Sequence, residues 1–214
     1  MAQQVRMVNI IGTMAVARNM KADKSRRIQK LQSGWLPVNN RESRSDPDRP
    51  SGCSACSANN LTPETVDHLF QCQLTERRRA ILDRFMSFHP KMRELKTNSA
   101  IIRALMTGSL AWIEGQPIPH VDTLLLPDNM TGRLIKQAYR EQNALGWNIL
   151  FRGFWTKSWR QAQEEELKTM RGREIHNMGE RWAAKTQLWY YDLFNIYGAS
   201  VTQTNTALTS IHNN

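Results

Sequence analysis

All three cysteines of the chain fall within twenty residues, as Cys53-x2-Cys56, eleven residues, then His68-x3-Cys72. This is a Cys3His set of the kind structural zinc sites use, and it constrains the chain more than any other feature. Cys53 and Cys56 can form a turn whose two thiolates grip one ion. His68 and Cys72, at i and i+4, share one face if a helix runs through them. Thr62-Pro63-Glu64 reads as the start of that helix, with a hydroxyl at the N-cap, proline at the first helical position and an acid in the first turn. Four protein ligands complete a tetrahedron around Zn2+ and leave no position for water, so the expected role is structural rather than catalytic. Glu64, one helical turn before His68, reads either as the acceptor for the spare imidazole N–H or as an exposed N-terminal acid. Two other readings of the cysteines exist: buried thiols beside a surface histidine, or a disulfide with one cysteine left over. The clustering favours the metal.

Elsewhere the apolar spacing is helical, so the expected fold class is mainly α: a small Cys3His zinc knuckle joined to a helical domain. Arg26 to Trp35 places Ile28, Leu31 and Trp35 on one side, and Pro37 stops the helix. Residues 39–52 read as a polar loop. A helix after Thr75, with Ala80, Ile81, Phe85 and Phe88 on one side, is expected to end before Pro90, and the knuckle to pack between it and the Arg26 to Trp35 helix. Asn98 to Ile113 is a further helix, closed by Gly115 and Pro117, and residues 117–128 connect it onward. Thr131 to about Met170 reads as one long helical stretch broken or bent near Gly146 or Gly153, and Gly179 to Tyr197 as another. Trp147, Phe151, Phe154, Trp155 and Trp159 mark the principal core. The organisation expected is a basic flexible arm over 1–25, a zinc-binding module over 26–90, a Trp-rich helical domain over 91–199 and a disordered tail over 200–214. Because residues 50–75 hold little apolar material, zinc is expected to supply most of the folding free energy of that segment.

Charge sets the class of partner. The net charge is +10, and residues 1–50 hold ten basic against four acidic residues. Such a field favours polyanions. The apolar fraction of 40% and seven Trp argue for a folded chain. Met7 to Ala17 has some character of a secretory leader, but Asn9, Gly12 and Thr13 interrupt it, and it is far shorter than the roughly 20 residues of a membrane span. A protein that is not secreted, makes no membrane contact and resides in the nucleus or cytoplasm is expected.

The segment Lys30-Leu31-Gln32-Ser33-Gly34-Trp35-Leu36-Pro37, a polar arginine-bearing loop, the cysteine pair, and Glu64-Thr65-Val66-Asp67-His68-Leu69-Phe70-Gln71-Cys72 together resemble a known module. It is similar to the zinc-binding domain that follows the polymerase in non-LTR retrotransposon reverse transcriptases, over about residues 26 to 75. A weaker similarity, carried by Gly146-Trp147, Gly153 and Trp159, links Gln142 to Trp159 with a helical segment downstream of the knuckle in retroelement-like reading frames. The chain departs from the family in having no polymerase palm and no Asp-Asp strand turn, so the resemblance implies a retroelement-derived fragment that cannot polymerise.

Three functions compete. The first is a noncatalytic module that binds RNA or DNA through Arg26, Arg27, Lys30, Arg41, Arg44, Arg49, Arg77, Arg78 and Arg79, although Zn2+ with three thiolates is formally an anion that some of these arginines can neutralise. The second is a restriction-like nuclease, echoed by Asp128 and Glu141. It fails at Asn143, where such enzymes need a lysine. The third is a protein-interaction scaffold formed by the tryptophan-rich helices, whose spacing is equally that of a core.

Overall fold

The structure, a computed structural model, describes residues 8, 22–33, 38–48, 51–53, 56, 62–170, 182, 185 and 186. Within them the chain is mainly helical, with the Cys3His cluster built from the segment after the second helix and from the third helix and its end. The elements run α1 (Ala22–Gln32), α2 (Asn39–Glu42), α3 (Val66–Gln71), α4 (Thr75–Met86), α5 (Phe88–Glu94), α6 (Ser99–Ile113), a 3-10 turn (Val121–Thr123), α7 (Met130–Leu145), α8 (Trp147–Phe151) and α9 (Lys157–Met170). No helix among the described residues is long and apolar enough to cross a membrane.

Helix α6 lies at the centre because it is apolar nearly all round: ten of its residues are buried, from Ala100 to Ile113. Asn98 caps it by accepting a hydrogen bond from the Ala100 N–H at 2.7 Å, which satisfies one of the donors that a helix start leaves over. Its Gly108 faces the Trp147 indole so closely that a Cβ there would overlap the ring. Helix α7 is amphipathic, burying Ile135, Ala138, Tyr139 and Gln142 while Arg133, Gln137 and Arg140 face water. Helices α7 and α9 form the most extensive helix pairing.

Gly146 ends α7 at φ 103°, a conformation costly for any residue with a Cβ, and Gly153 turns the chain again at φ 88°. The helical stretch expected to be broken or bent near one of these glycines is broken at both and forms three helices. Trp147, Phe151, Trp155 and Trp159 are buried, as expected of a core, and Phe154 is half-buried. Buried Gln163 ties α9 to the turn before α6, accepting from the Asn98 N–H at 3.1 Å and donating to the Lys96 carbonyl at 3.0 Å.

Four boundaries differ from the sequence reading. Helix α1 starts at Ala22, inside the stretch read as a flexible arm. The 39–52 loop contains the short helix α2. Helix α4 ends before Pro90, as expected, but already at Met86; Phe88 and Pro90 belong to α5, with Pro90 in its first turn, where its missing N–H would have had no partner in any case. The helix expected from Thr62 starts at Val66. Of the arm, Val8 is buried and makes an antiparallel bridge with Thr156. The Gly179 to Tyr197 helix lies outside the described residues except at three positions; there Trp182 is buried and donates to Thr97 Oγ1 at 2.7 Å. Trp35 and the 200–214 tail also lie outside them.

The buried apolar residues make one cluster that draws on both proposed modules. Ile28 and Leu31 of α1 and Val66, Leu69 and Phe70 of α3 join Ile101, Leu105, Phe151 and Trp159.

Candidate metal centre

The cysteine turn is held by a short antiparallel pairing. Gly52 bridges Pro63, the Cys53 N–H donates to the Thr62 carbonyl at 2.8 Å, and the Glu64 N–H donates to the Ser51 carbonyl at 3.0 Å. This pairing keeps residues 62–64 extended and delays the helix. Thr65 then takes the capping role expected of Thr62, its hydroxyl accepting from the His68 N–H at 3.1 Å. Cys72 is the residue that closes α3 rather than a member of it.

These two pieces bring all four expected ligands together. One donor atom from each of Cys53, Cys56, His68 and Cys72 lies within 4.8 Å of every other, with Cys56 Sγ 3.1 Å from His68 Nε2 and 2.9 Å from Cys72 Sγ. A tetrahedral zinc site with Zn–S near 2.3 Å and Zn–N near 2.0 Å has edges of roughly 3.5 to 3.8 Å, so the donors span the right size and need only sub-ångström to ångström adjustments. Zn2+ held here by three sulfurs and Nε2 would supply a rigid cross-link between the turn and the helix, with no coordination position open to water. The cysteines are free thiols, not a disulfide with one left over.

The electrostatics suit a cation. Burial pushes the His68 imidazole below its ordinary value; the Glu64 carboxylate works against this and Arg77 adds to it. His68 is thus neutral at neutral pH, as a ligand must be. Burial pushes the Cys72 thiol up to about 12, helped by its hydrogen bond with Cys56. Burial also tends to raise the Cys56 thiol, but hydrogen bonds with Cys72, Cys53 and the backbone of Gln73 and Leu74 hold it below its ordinary value. Of this pair, Cys56 carries the first thiolate. Glu64 is 6% exposed, not the surface acid of the alternative reading.

The basic residues divide. Arg77 of α4 turns inward and places Nη1 3.7 Å from Cys53 Sγ, a position from which a guanidinium offsets thiolate charge. Arg78 donates to Gln73 Oε1 at 3.0 Å and lies 4.0 Å from Glu114. Arg79 alone of the three is exposed, on a face of α4 that also carries exposed Glu76 and Asp83. Arg26, Lys30 and Arg44 are exposed. Arg27 and Arg41 belong to α1 and α2, but their side chains, and all of Arg49, lie outside the described residues. Of the nuclease echo, Glu141 accepts from Gln137 one turn earlier on α7, at 2.8 Å.

One set of residues escaped the sequence reading. The helix carrying His68 is fastened to the core on three sides. Phe70 packs against Phe151 and Trp112, with ring centroids 5.1 and 5.9 Å away. Gln71 donates to the Trp112 carbonyl at 2.7 Å. Asp67 accepts from Asn148 at 3.1 Å and from Arg152 at 3.0 Å. The expectation that the segment lacks an apolar anchor fails for α3, whose Val66, Leu69 and Phe70 are buried.

Compared with family models, with curated proteins and with solved structures, the chain finds no match.

Proposed function

We propose that this chain is a noncatalytic module, held together by a structural Zn2+, that binds nucleic acid through phosphate contacts. The observation that carries the reading is the gathering of four donor atoms within 4.8 Å in a chain whose net charge is +10. A closed ligand set holds structure instead of reacting, and a positive field attracts a polyanion. Arg26, Lys30, Arg44 and Arg79, all exposed, are the contacts assigned near the module. Arg77 and Arg78 serve the metal centre and its surroundings. The likeness of residues 26–75 to the zinc-binding segment of non-LTR reverse transcriptases supports a retroelement origin, as part of the same proposal. Metal analysis of the purified protein, followed by nucleic-acid titration at two salt concentrations, tests it. One equivalent of zinc and an affinity that falls steeply with salt are expected. A metal-free folded protein, or binding indifferent to salt, would overturn it.

A further inference from the structure

Helix α7 presents a second basic surface, on the helical body and outside the knuckle. Arg133, Gln137 and Arg140 are its outward residues, with half-buried Lys136 at their flank. At 100° per residue, Arg133, Lys136, Gln137 and Arg140 fall within an arc of about 100°, and the three cations span about 10 Å along the axis. Among the described residues neither Arg133 nor Lys136 has an acidic partner. Arg140 has one, Asp122 at 3.7 Å, which His120 also approaches at 3.3 Å. Glu141, at the edge of the arc, is engaged by Gln137. Glu166 of α9 reaches Thr131 at 3.4 Å, but Thr131 is buried and sits about 180 to 200° round the helix from Arg133 and Arg140. Arg103 of α6, exposed and hydrogen-bonded to the Leu125 carbonyl at 2.8 Å, adds positive charge beside the loop that feeds α7.

The contrast with α4 gives this face its meaning. The run Arg77-Arg78-Arg79 looks like the strongest basic patch in the chain, yet two of its members turn toward the metal centre and Glu114, and the third shares its face with Glu76 and Asp83. On α7 the outward cations remain outward.

We infer that the outer face of α7 is a phosphate-backbone contact surface for nucleic acid, with Arg133 and Lys136, which have no acidic partner among the described residues, as its principal cations. Charge complementarity selects the occupant: exposed Arg133 and Arg140 with half-buried Lys136 suit a regularly spaced polyanion, and half-exposed Met130, the large apolar side chain at the edge of this face, offers a protein partner little area to bury. The inference shares with the preceding reading only the class of partner. This surface needs no metal, because α7 is fixed by α6, α8 and α9.

The test compares two double variants, Arg133→Gln/Lys136→Gln on α7 and Arg26→Gln/Lys30→Gln on α1, in full-length protein. A short mixed-sequence DNA duplex and a single-stranded RNA serve as probes, titrated over a salt series with and without chelation of zinc. Each phosphate contact contributes about 0.7 to 0.9 to the slope of log K against log salt, so the α7 variant should lose about 1.4 to 1.8 from it, in chelated and zinc-loaded protein alike. The exchange variant Arg133→Lys/Lys136→Arg should keep the full slope, and an unchanged circular dichroism spectrum shows that folding is intact. An unchanged slope in the α7 variant, with loss in the α1 variant, overturns this inference and leaves the zinc module's reading standing. Loss in the α7 variant alone supports this inference and removes the α1 contacts. Absence of binding by the parent protein at low salt overturns both.

Discussion

Arg152 donates to the carboxylate of Asp67 at 3.0 Å, joining the end of α8 to the residue immediately before His68, one of the four gathered donors. Asn148 reaches the other oxygen of the same carboxylate. Helix α3 is thereby tied to groups some eighty residues further along the chain. Asp67→Ala is expected to cost about 1 kcal/mol, the worth of a charge-assisted pair discounted for partial exposure, as a fall in the urea midpoint of zinc-loaded protein. No change in midpoint would show that the contact is incidental.

Removing zinc is expected to loosen the chain unevenly. The turn that carries Cys53 and Cys56, paired with residues 62–64 rather than seated on the aromatic core as Phe70 is, should exchange its amide hydrogens fast once a chelator is added. Amides of Leu69 to Gln71 should stay protected, because Phe70 and Gln71 remain seated on Trp112 and Phe151. Uniform loss of protection across residues 51–72 would contradict this. Cys56→Ser should abolish stoichiometric zinc, and retention of one equivalent would exclude Cys56 as a ligand.

Phe70→Ala should be among the most damaging single changes in the molecule. The ring is 1% exposed and touches two other aromatic rings, and truncations of this kind cost about 3 to 5 kcal/mol. Thermal unfolding followed by tryptophan fluorescence measures it, and zinc should dissociate in the same transition because the helix that loses its anchor also carries His68.

Gly108→Ala tests the close approach of α6 and α8. A methyl group at this position meets the Trp147 ring directly, so overpacking should destabilise the fold by about 1 to 3 kcal/mol despite the better helix propensity of alanine. A stabilised variant would show that the indole moves aside without cost.

The pH dependence should differ between zinc-loaded and metal-free protein at the alkaline end. In the metal-free chain burial holds the Cys72 thiol protonated up to about 12, whereas the unfolded chain loses that proton near 9.0. The folded form binds more protons across this window, so its stability is intact below pH 9 and drains away as pH rises from 9 toward 12. Tyr139, raised by burial from 10.0 to about 12, adds loss of the same sign in both forms. With zinc bound, Cys72 is already a thiolate and only the Tyr139 part remains. Melting temperatures between pH 8 and 11 should therefore fall more steeply after chelation, and parallel curves would argue against Cys72 as a thiolate ligand.

The ligand set was legible because metal geometry imposes spacing on sequence, and all four residues converge as the spacing implied. The start of α3 was not: Thr62-Pro63 has the chemistry of a helix cap, but Pro63 is paired with Gly52, a partner about eleven residues back that no local pattern announces. The end of α4 before Pro90 was legible, but the new helix starting at Phe88 was not, since proline stops a helix from within and is tolerated in its first turn. The division of Arg77, Arg78 and Arg79 depended on Cys53, Gln73 and Glu114, and the Asp67 anchor on Arg152; none of these partners shares a periodicity with the residue it meets.

The two halves of the metal centre are supported very differently. His68 and Cys72 sit on or beside a helix bolted to the core, while Cys53 and Cys56 sit on a turn paired with residues 62–64. With the proposed ion bound, its dissociation is expected to be sequential, the turn opening first while the helix side keeps a two-donor tether. Residence time would then be governed by how seldom the turn opens. A small chelator can enter the vacated positions and speed the exchange, whereas simple dilution leaves the ion to be recaptured by a turn that has not travelled far.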